Sequence, residues 1–142
     1  MTAGGAAPQP VRRAFPIVLS APSGSGKTSV ARGVLERFPR LAFAVSCTTR
    51  RRRPGEQEGR DYAYLDETEF LQRADAGLFV EWARVHGNYY GTPRSAIDGP
   101  LSEGHHVLLD VDVQGAKSLL AEYAFAVSVF LVPPSLEVMG QR

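Results

Sequence analysis

FPIVLSAPSGSGKTSVARGVLERF, residues 15–38, decides the fold. It opens with a compact apolar run of strand length (15–22), halted by Pro22 and a Gly/Ser turn. From residue 29, Val30, Val34, Leu35 and Phe38 fall at helical spacing, a stripe for packing on a sheet, and Pro39 ends the helix. Between them, Ala21-Pro22-Ser23-Gly24-Ser25-Gly26-Lys27-Thr28 has the strand–loop–helix context of a phosphate-binding loop, or P-loop. Glycines let successive backbone N–H groups turn inward around a phosphate, and the helix N-terminus adds its positive end. Lys27 would then reach the β- and γ-phosphates, and the Thr28 hydroxyl would ligate Mg2+. Ala21 stands where the usual pattern has glycine. Against the bland alternative, a strand-to-helix turn with a surface lysine, residues 21–28 read as a nucleotide triphosphate site.

Working outward, 41–48 reads as a short strand and 65–79 as a helix with Thr68 or Asp66 as its cap and Gly77 near its end. Residues 79–92 read as strand–turn–strand, followed by a helix near 94–101. HHVLLDVDVQGAKSLL (105–120) is an apolar strand ending in aspartates, then a turn and helix. Asp110 is placed to hold Mg2+ through water, because open α/β sheets bind ligands at the C-terminal ends of their strands. Capping the next helix is the competing role, more so for Asp112. FAVSVFLVPPS (125–135) reads as a further buried strand, and 136–142 as the start of a helix. Near-continuous apolar strands alternating with helices predict an α/β domain: a parallel sheet with helices on both faces. With only three convincing buried strands, the domain reads as C-terminally incomplete.

The 142 residues carry a net charge of +1, which argues against a nucleic-acid-coating protein. Charge is nonetheless uneven, +8 over residues 1–60 (11 basic, 3 acidic) and −7 over 61–142 (5 basic, 12 acidic). The basic run Arg50 to Arg53 is short and lacks interleaved aromatics, so no nucleic-acid partner is expected, and no membrane partner is expected because no apolar run approaches the ~18–20 residues of a membrane span. A single cysteine, Cys47, fits a reducing, cytoplasmic setting. Residues 1–14 read as a disordered tail. His105 and His106, adjacent before a strand, point to opposite faces and make a poor metal pair.

SCTTRRRRPGEQEGRDY (46–62), EWARVHGNYYGT (81–92) and LLDVDVQG (108–115), taken with APSGSGKT (21–28), together closely resemble the guanylate kinase family. The resemblance runs from Phe15 to Arg142. It implies a P-loop core (15–46 and 104–142) with an inserted GMP-binding α+β region at about 47–103, and transfer of the γ-phosphate of ATP to GMP or dGMP with Mg2+. It places Arg50 and Arg53 on the acceptor phosphate beside Tyr62 and Tyr90, with Lys27, Arg50 and Arg53 as the catalytic charges. Glu56 lies near that site, orienting Arg53. Arg51, Arg52 and Glu58 read as solvated charges, and Asp61 has no assigned role. Glu81 matches the guanine reader, with Ser46, Thr92 and Asp112 as further base contacts. Asp110 is counted with the GMP-binding residues as well as with the metal ligands. Trp82 and Tyr89 read as packing residues.

The chemistry so implied needs no general base, because an acceptor phosphate monoester is already charged near neutral pH. Positive charge and in-line positioning suffice. In the family, sequence beyond the position of Arg142 supplies an arginine-bearing lid, more helices and a last strand, so the chain as given is expected to be a weakly active fragment. A non-catalytic scaffold module with the same fold is the alternative, against which stand the intact Gly26, Lys27 and Thr28. Oligomeric state is left open.

Overall fold

The computed structural model describes residues 13–22 and 26–132. The remainder of the expected tail and the helix expected at 136–142 lie outside the described residues. In chain order the elements are β1 (Pro16–Ser20), α1 (Lys27–Arg37), β2 (Ala42–Phe43), β3 (Cys47–Thr48), β4 (Ala63–Tyr64), α2 (Glu67–Asp75), β5 (Phe79–Val85), β6 (Asn88–Pro93), α3 (Arg94–Ser102), β7 (Val107–Asp110), α4 (Val113–Glu122) and β8 (Val127–Phe130).

They build two sheets. The first is parallel, in the order β2-β7-β1-β8; the second is mixed, in the order β4-β3-β6-β5. Side chains of a strand alternate between faces, and both faces of the parallel sheet are covered. Val18, Val107 and Leu109 face Ile97 of α3 and Ala116 and Leu119 of α4. Leu19 and Leu108 face Ala31, Val34 and Leu35 of α1. Each fully buried Val or Leu contributes about 1.5–3 kcal/mol, so these two layers anchor the fold. Val80 of β5 belongs to the first layer, which ties the second sheet to the core of the first.

Expectation and structure differ at three places. The run 41–48 is two strands. Ala42 and Phe43 pair with β7, residues 44–46 cross between the sheets, and Cys47 and Thr48 pair with β4 and β6. Of the α1 stripe, Val34 and Leu35 pack inward, but Val30 is 40% and Phe38 60% exposed. Ala31 takes the inward position one residue later, and Phe38 lies past the last helical turn. The strand expected at 125–135 forms as β8 and is not buried, and its expected end at 133–135 lies outside the described residues. Val127, Val129 and Phe130 are all exposed because β8 is the edge of the parallel sheet, with β1 alone beside it among the described residues.

The second sheet has its own small core. Phe70 of α2 is fully buried, stacked on Phe79 and Tyr89 at centroid distances of 4.6 and 5.3 Å. Gly91 is required beneath those rings, since a Cβ there would lie 3.0 Å from both Phe70 and Phe79. Trp82, expected to pack, meets Phe70 edge-on and stays 46% exposed. Asp66, rather than Thr68, caps α2, accepting from the Glu69 N–H at 2.7 Å. Residues His86 and Gly87 join β5 to β6 in a tight turn with positive φ at both positions. His105 and His106 indeed part company: the His106 ring accepts from the Phe15 N–H, while His105 sits 3.1 Å from the Arg40 carbonyl.

Candidate functional site

Parallel pairing of β1 with β7 sets Leu19 opposite Asp110, so both strands deliver their C-terminal ends to one edge. Ala21 there is buried and Pro22 half-buried. Ser23, Gly24 and Ser25 lie outside the described residues. Gly26 follows at φ 81, the left-handed region that a glycine enters without strain, and α1 begins at Lys27. The Lys27 ammonium lies 2.9 Å from Asp110 Oδ1 and donates to the Val111 carbonyl at 2.9 Å. Thr28 is exposed in the first turn of the same helix.

Among the described residues there is no group of three or more His, Cys, Asp and Glu side chains able to hold a metal. A cation here would take few protein ligands and complete its shell with phosphate oxygens and water, the habit of Mg2+. The Asp110 carboxylate beside Lys27 and the exposed Thr28 hydroxyl are hard oxygen donors on adjoining segments. These residues fit such an ion.

A second polar cluster is built on β3 and β6. Thr48 Oγ1 donates to the Tyr89 carbonyl at 2.9 Å, and Thr49 Oγ1 accepts from the Tyr89 N–H at 2.9 Å. These bonds lock the backbone that leads into Arg50. Its guanidinium lies 5.2 Å over the Tyr62 ring, and Tyr62 meets Tyr90 edge-on at 6.1 Å. Glu56 holds the end of the guanidinium through both terminal nitrogens, and its Oε1 also accepts from the Arg53 N–H at 2.7 Å. Glu56 therefore orients Arg50 and touches Arg53 only through the backbone, a correction to its expected role. The carboxylate raises the pKa of Arg50 further and is itself held at about 2, chiefly by hydrogen bonding to Arg50. Burial pushes the Tyr62 hydroxyl up, against the lowering by Arg50, and the Asp110 carboxylate is near enough to add to that rise. The Arg53 side chain is exposed, as are those of Arg51 and Arg52.

The third cluster joins β5, β6 and α4. Glu81 and Thr92 are register partners, and Thr92 Oγ1 donates to Glu81 Oε1 at 2.7 Å. Among the described residues Oε2 takes no hydrogen bond. Burial raises the Glu81 pKa, opposed by the Thr92 bond and aided by nearby Asp112. Asp112 caps α4, its Oδ1 accepting from the Gly115 N–H at 2.6 Å. It does so from an exposed position beside Glu81. Ser46 is half-buried at the entry to β3, where its carbonyl accepts from the Ala63 N–H.

Lys27 and Asp110 meet directly, as do Arg50, Glu56 and Tyr62, with Tyr90 alongside, and Glu81 with Thr92, with Asp112 nearby. The structure does not bring the Arg53 side chain into any of these groups. Two contributors escaped the sequence reading. Gly115 lets the Glu81 carboxylate approach α4, since a Cβ there would lie 3.1 Å from Asp112 Oδ1 and 3.3 Å from Glu81 Cδ. Asp61, half-buried in the 51–62 loop, accepts from Gln57, Arg60 and Arg32. A glycine two residues into a helical pattern was a legible signal for the first; no local pattern marked the second.

The guanylate kinase family model matches residues 13–142. The chain is 49% identical over 122 residues to the guanylate kinase of Bordetella pertussis, covering 86% of this chain and 57% of that protein. It is 48% identical over 125 residues to that of Thermotoga maritima, covering 88% and 60%. The crystal structure of guanylate kinase from Anaplasma phagocytophilum superimposes with a TM-score of 0.77 at 38% identity, covering 91% of this chain and 65% of that one. The chain therefore spans about three fifths of the length of these relatives. No helix among the described residues is long and apolar enough to cross a membrane.

Proposed function

The chain belongs to the guanylate kinase family, and from that premise we propose that its three clusters serve transfer of the γ-phosphoryl group of ATP to GMP or dGMP, giving ADP and GDP or dGDP. The observation that carries this reading is a pair of cationic clusters built on the two sheets, Lys27 with Asp110 on one and Arg50 over the Tyr62 ring on the other.

The acceptor phosphate binds at Arg50, where the Tyr62 and Tyr90 hydroxyls can donate to the same oxygens. Arg53 joins by swinging its exposed side chain inward. Glu81 reads the base: guanine offers N1–H and its 2-amino group side by side, and Oε2 has room to accept. Adenine lacks that donor pair and would leave a half-buried carboxylate unpaired. Ser46, Thr92 and Asp112 border the same pocket, Asp112 with its remaining acceptor capacity beyond the helix cap. ATP binds along residues 21–28, where Lys27 exchanges Asp110 for the β- and γ-phosphates.

Two dianionic groups about 4 Å apart repel by roughly 4 kcal/mol even at the dielectric of water. Lys27 and Arg50, from opposite sides, cancel much of that repulsion and hold the phosphates in line, so no proton-abstracting residue is needed. Thr28 and Asp110 would hold Mg2+, which when bound supplies further charge compensation on the donor phosphates. GMP-dependent release of ADP from ATP tests the proposal. Equal ADP release with GMP, AMP and UMP, or none with GMP, would count against it.

A further inference from the structure

We infer that Asp61 is a positioning residue for the acceptor pocket, and that its ion pair with Arg32 ties the acceptor loop to the helix following the phosphate loop. This rests on the reading of the Arg50 cluster as the acceptor-phosphate site.

The 51–62 loop has little regular structure, yet its two ends must present Arg50, Glu56 and Tyr62 to one another. Asp61 is the knot that holds it. Oδ2 accepts from the Gln57 N–H at 2.7 Å and from Arg60 Nε and Nη2 at 3.1 and 2.9 Å; Oδ1 accepts from Arg32 Nη2 at 3.3 Å. Its side chain is only 14% exposed despite the loop setting. Arg60 Nη2 also donates to the Gly55 carbonyl at 3.1 Å, fixing the turn that delivers Glu56. Tyr62, the very next residue, carries Arg50 on its ring. Asp61 thus controls both supports of Arg50, one by chain adjacency and one through Arg60.

Arg32 stands on α1, the helix that begins with Lys27. An exposed pair of this kind adds little energy by itself. Its consequence is geometric: a loop anchored to α1 keeps the acceptor pocket in register with the donor helix, where small displacements cost much in phosphoryl transfer.

Calorimetric titration of the 142-residue chain with GMP and, separately, with ATP tests this without relying on turnover. Asp61→Ala is expected to weaken GMP about tenfold, with ATP affinity held within about twofold. Asp61→Asn keeps an oxygen for the Gln57 N–H and loses only the ionic partners, so it should fold and weaken GMP by about threefold. Arg32→Ala should match that smaller loss. Unchanged GMP affinity in both Asp61 variants overturns the positioning role, and so does a parallel loss of GMP and ATP. Unchanged GMP affinity in Arg32→Ala overturns the tie to α1. Failure of the unaltered chain to bind GMP instead sinks the acceptor reading, and this inference with it.

Discussion

Glu56 grips both terminal nitrogens of Arg50, Oε1 to Nη1 at 2.9 Å and Oε2 to Nη2 at 3.0 Å. A planar fork held by a planar carboxylate cannot rotate about its own plane, so Arg50 is aimed before any anion arrives. The pairing leaves Nε–H and one hydrogen of Nη2 outside it, the donors that the proposed acceptor phosphate would take.

That pairing has a pH signature. The Glu56 carboxyl falls from 4.5 to about 2 in the folded chain, mainly through Arg50 and also through the Arg53 N–H. Because the folded pKa is the lower one, the associated stability is present above about 4.5 and is lost as pH falls toward 2. Thermal unfolding followed across that window should decline less steeply for Glu56→Gln than for the unaltered chain. Identical slopes would mean that the pair adds no stability.

Glu81 has the opposite sign. Burial lifts its pKa, so the ionised form is the costly one, and the folded chain loses stability as pH rises through the raised value. Glu81→Gln at neutral pH is therefore expected to be at least as stable in a thermal melt, since a glutamine oxygen still accepts from Thr92. Binding of GMP should fall about tenfold or more, because the paired acceptors for guanine are lost. Unchanged affinity in a calorimetric titration would remove Glu81 from base recognition.

Gly115→Ala separates site from scaffold. Gly115 lies in the first turn of α4, where alanine is favoured over glycine by up to about 1 kcal/mol, the value for a helix interior. The new Cβ, 3.1 Å from Asp112 Oδ1 and 3.3 Å from Glu81 Cδ, would press both carboxylates away. Strain of about 1 kcal/mol from such overpacking roughly cancels the gain. Chemical denaturation should show little net change while GMP affinity drops; a normal affinity would show that Glu81 yields freely.

Gly91→Ala is the contrasting case. Its Cβ would meet Phe70 and Phe79 at 3.0 Å, and neither buried ring can retreat. A loss of about 1–3 kcal/mol in unfolding free energy is expected. A wild-type denaturation midpoint would show a softer aromatic core than its stacking implies.

The strand and helix of residues 15–38 and the partner strand ending at Asp110 were legible because their signals are local: apolar run, a glycine before the helix, helical spacing. The hairpin at 79–92 was legible for the same reason. What stayed hidden depends on distant partners. Nothing within 41–48 announces that Ala42 pairs with Val107 whereas Cys47 pairs with Gly91. An apolar strand reads alike at the centre or edge of a sheet, so the exposure of Val127, Val129 and Phe130 could not be foreseen. In the site, residue types and neighbourhoods were readable, but the choice of Glu56 for Arg50 rests on how the loop folds back at Gly55 and Arg60.

The crossing at residues 44–46 is pinned at both ends, the Ala44 N–H to the Leu108 carbonyl and the Ser46 carbonyl to the Ala63 N–H. It works as a knuckle whose freedom is confined largely to Val45. Immobilising a residue costs about 1–2 kcal/mol of backbone entropy. Holding the Lys27–Asp110 edge and the Arg50 cluster in one arrangement through so short a joint therefore wastes little thermal disorder.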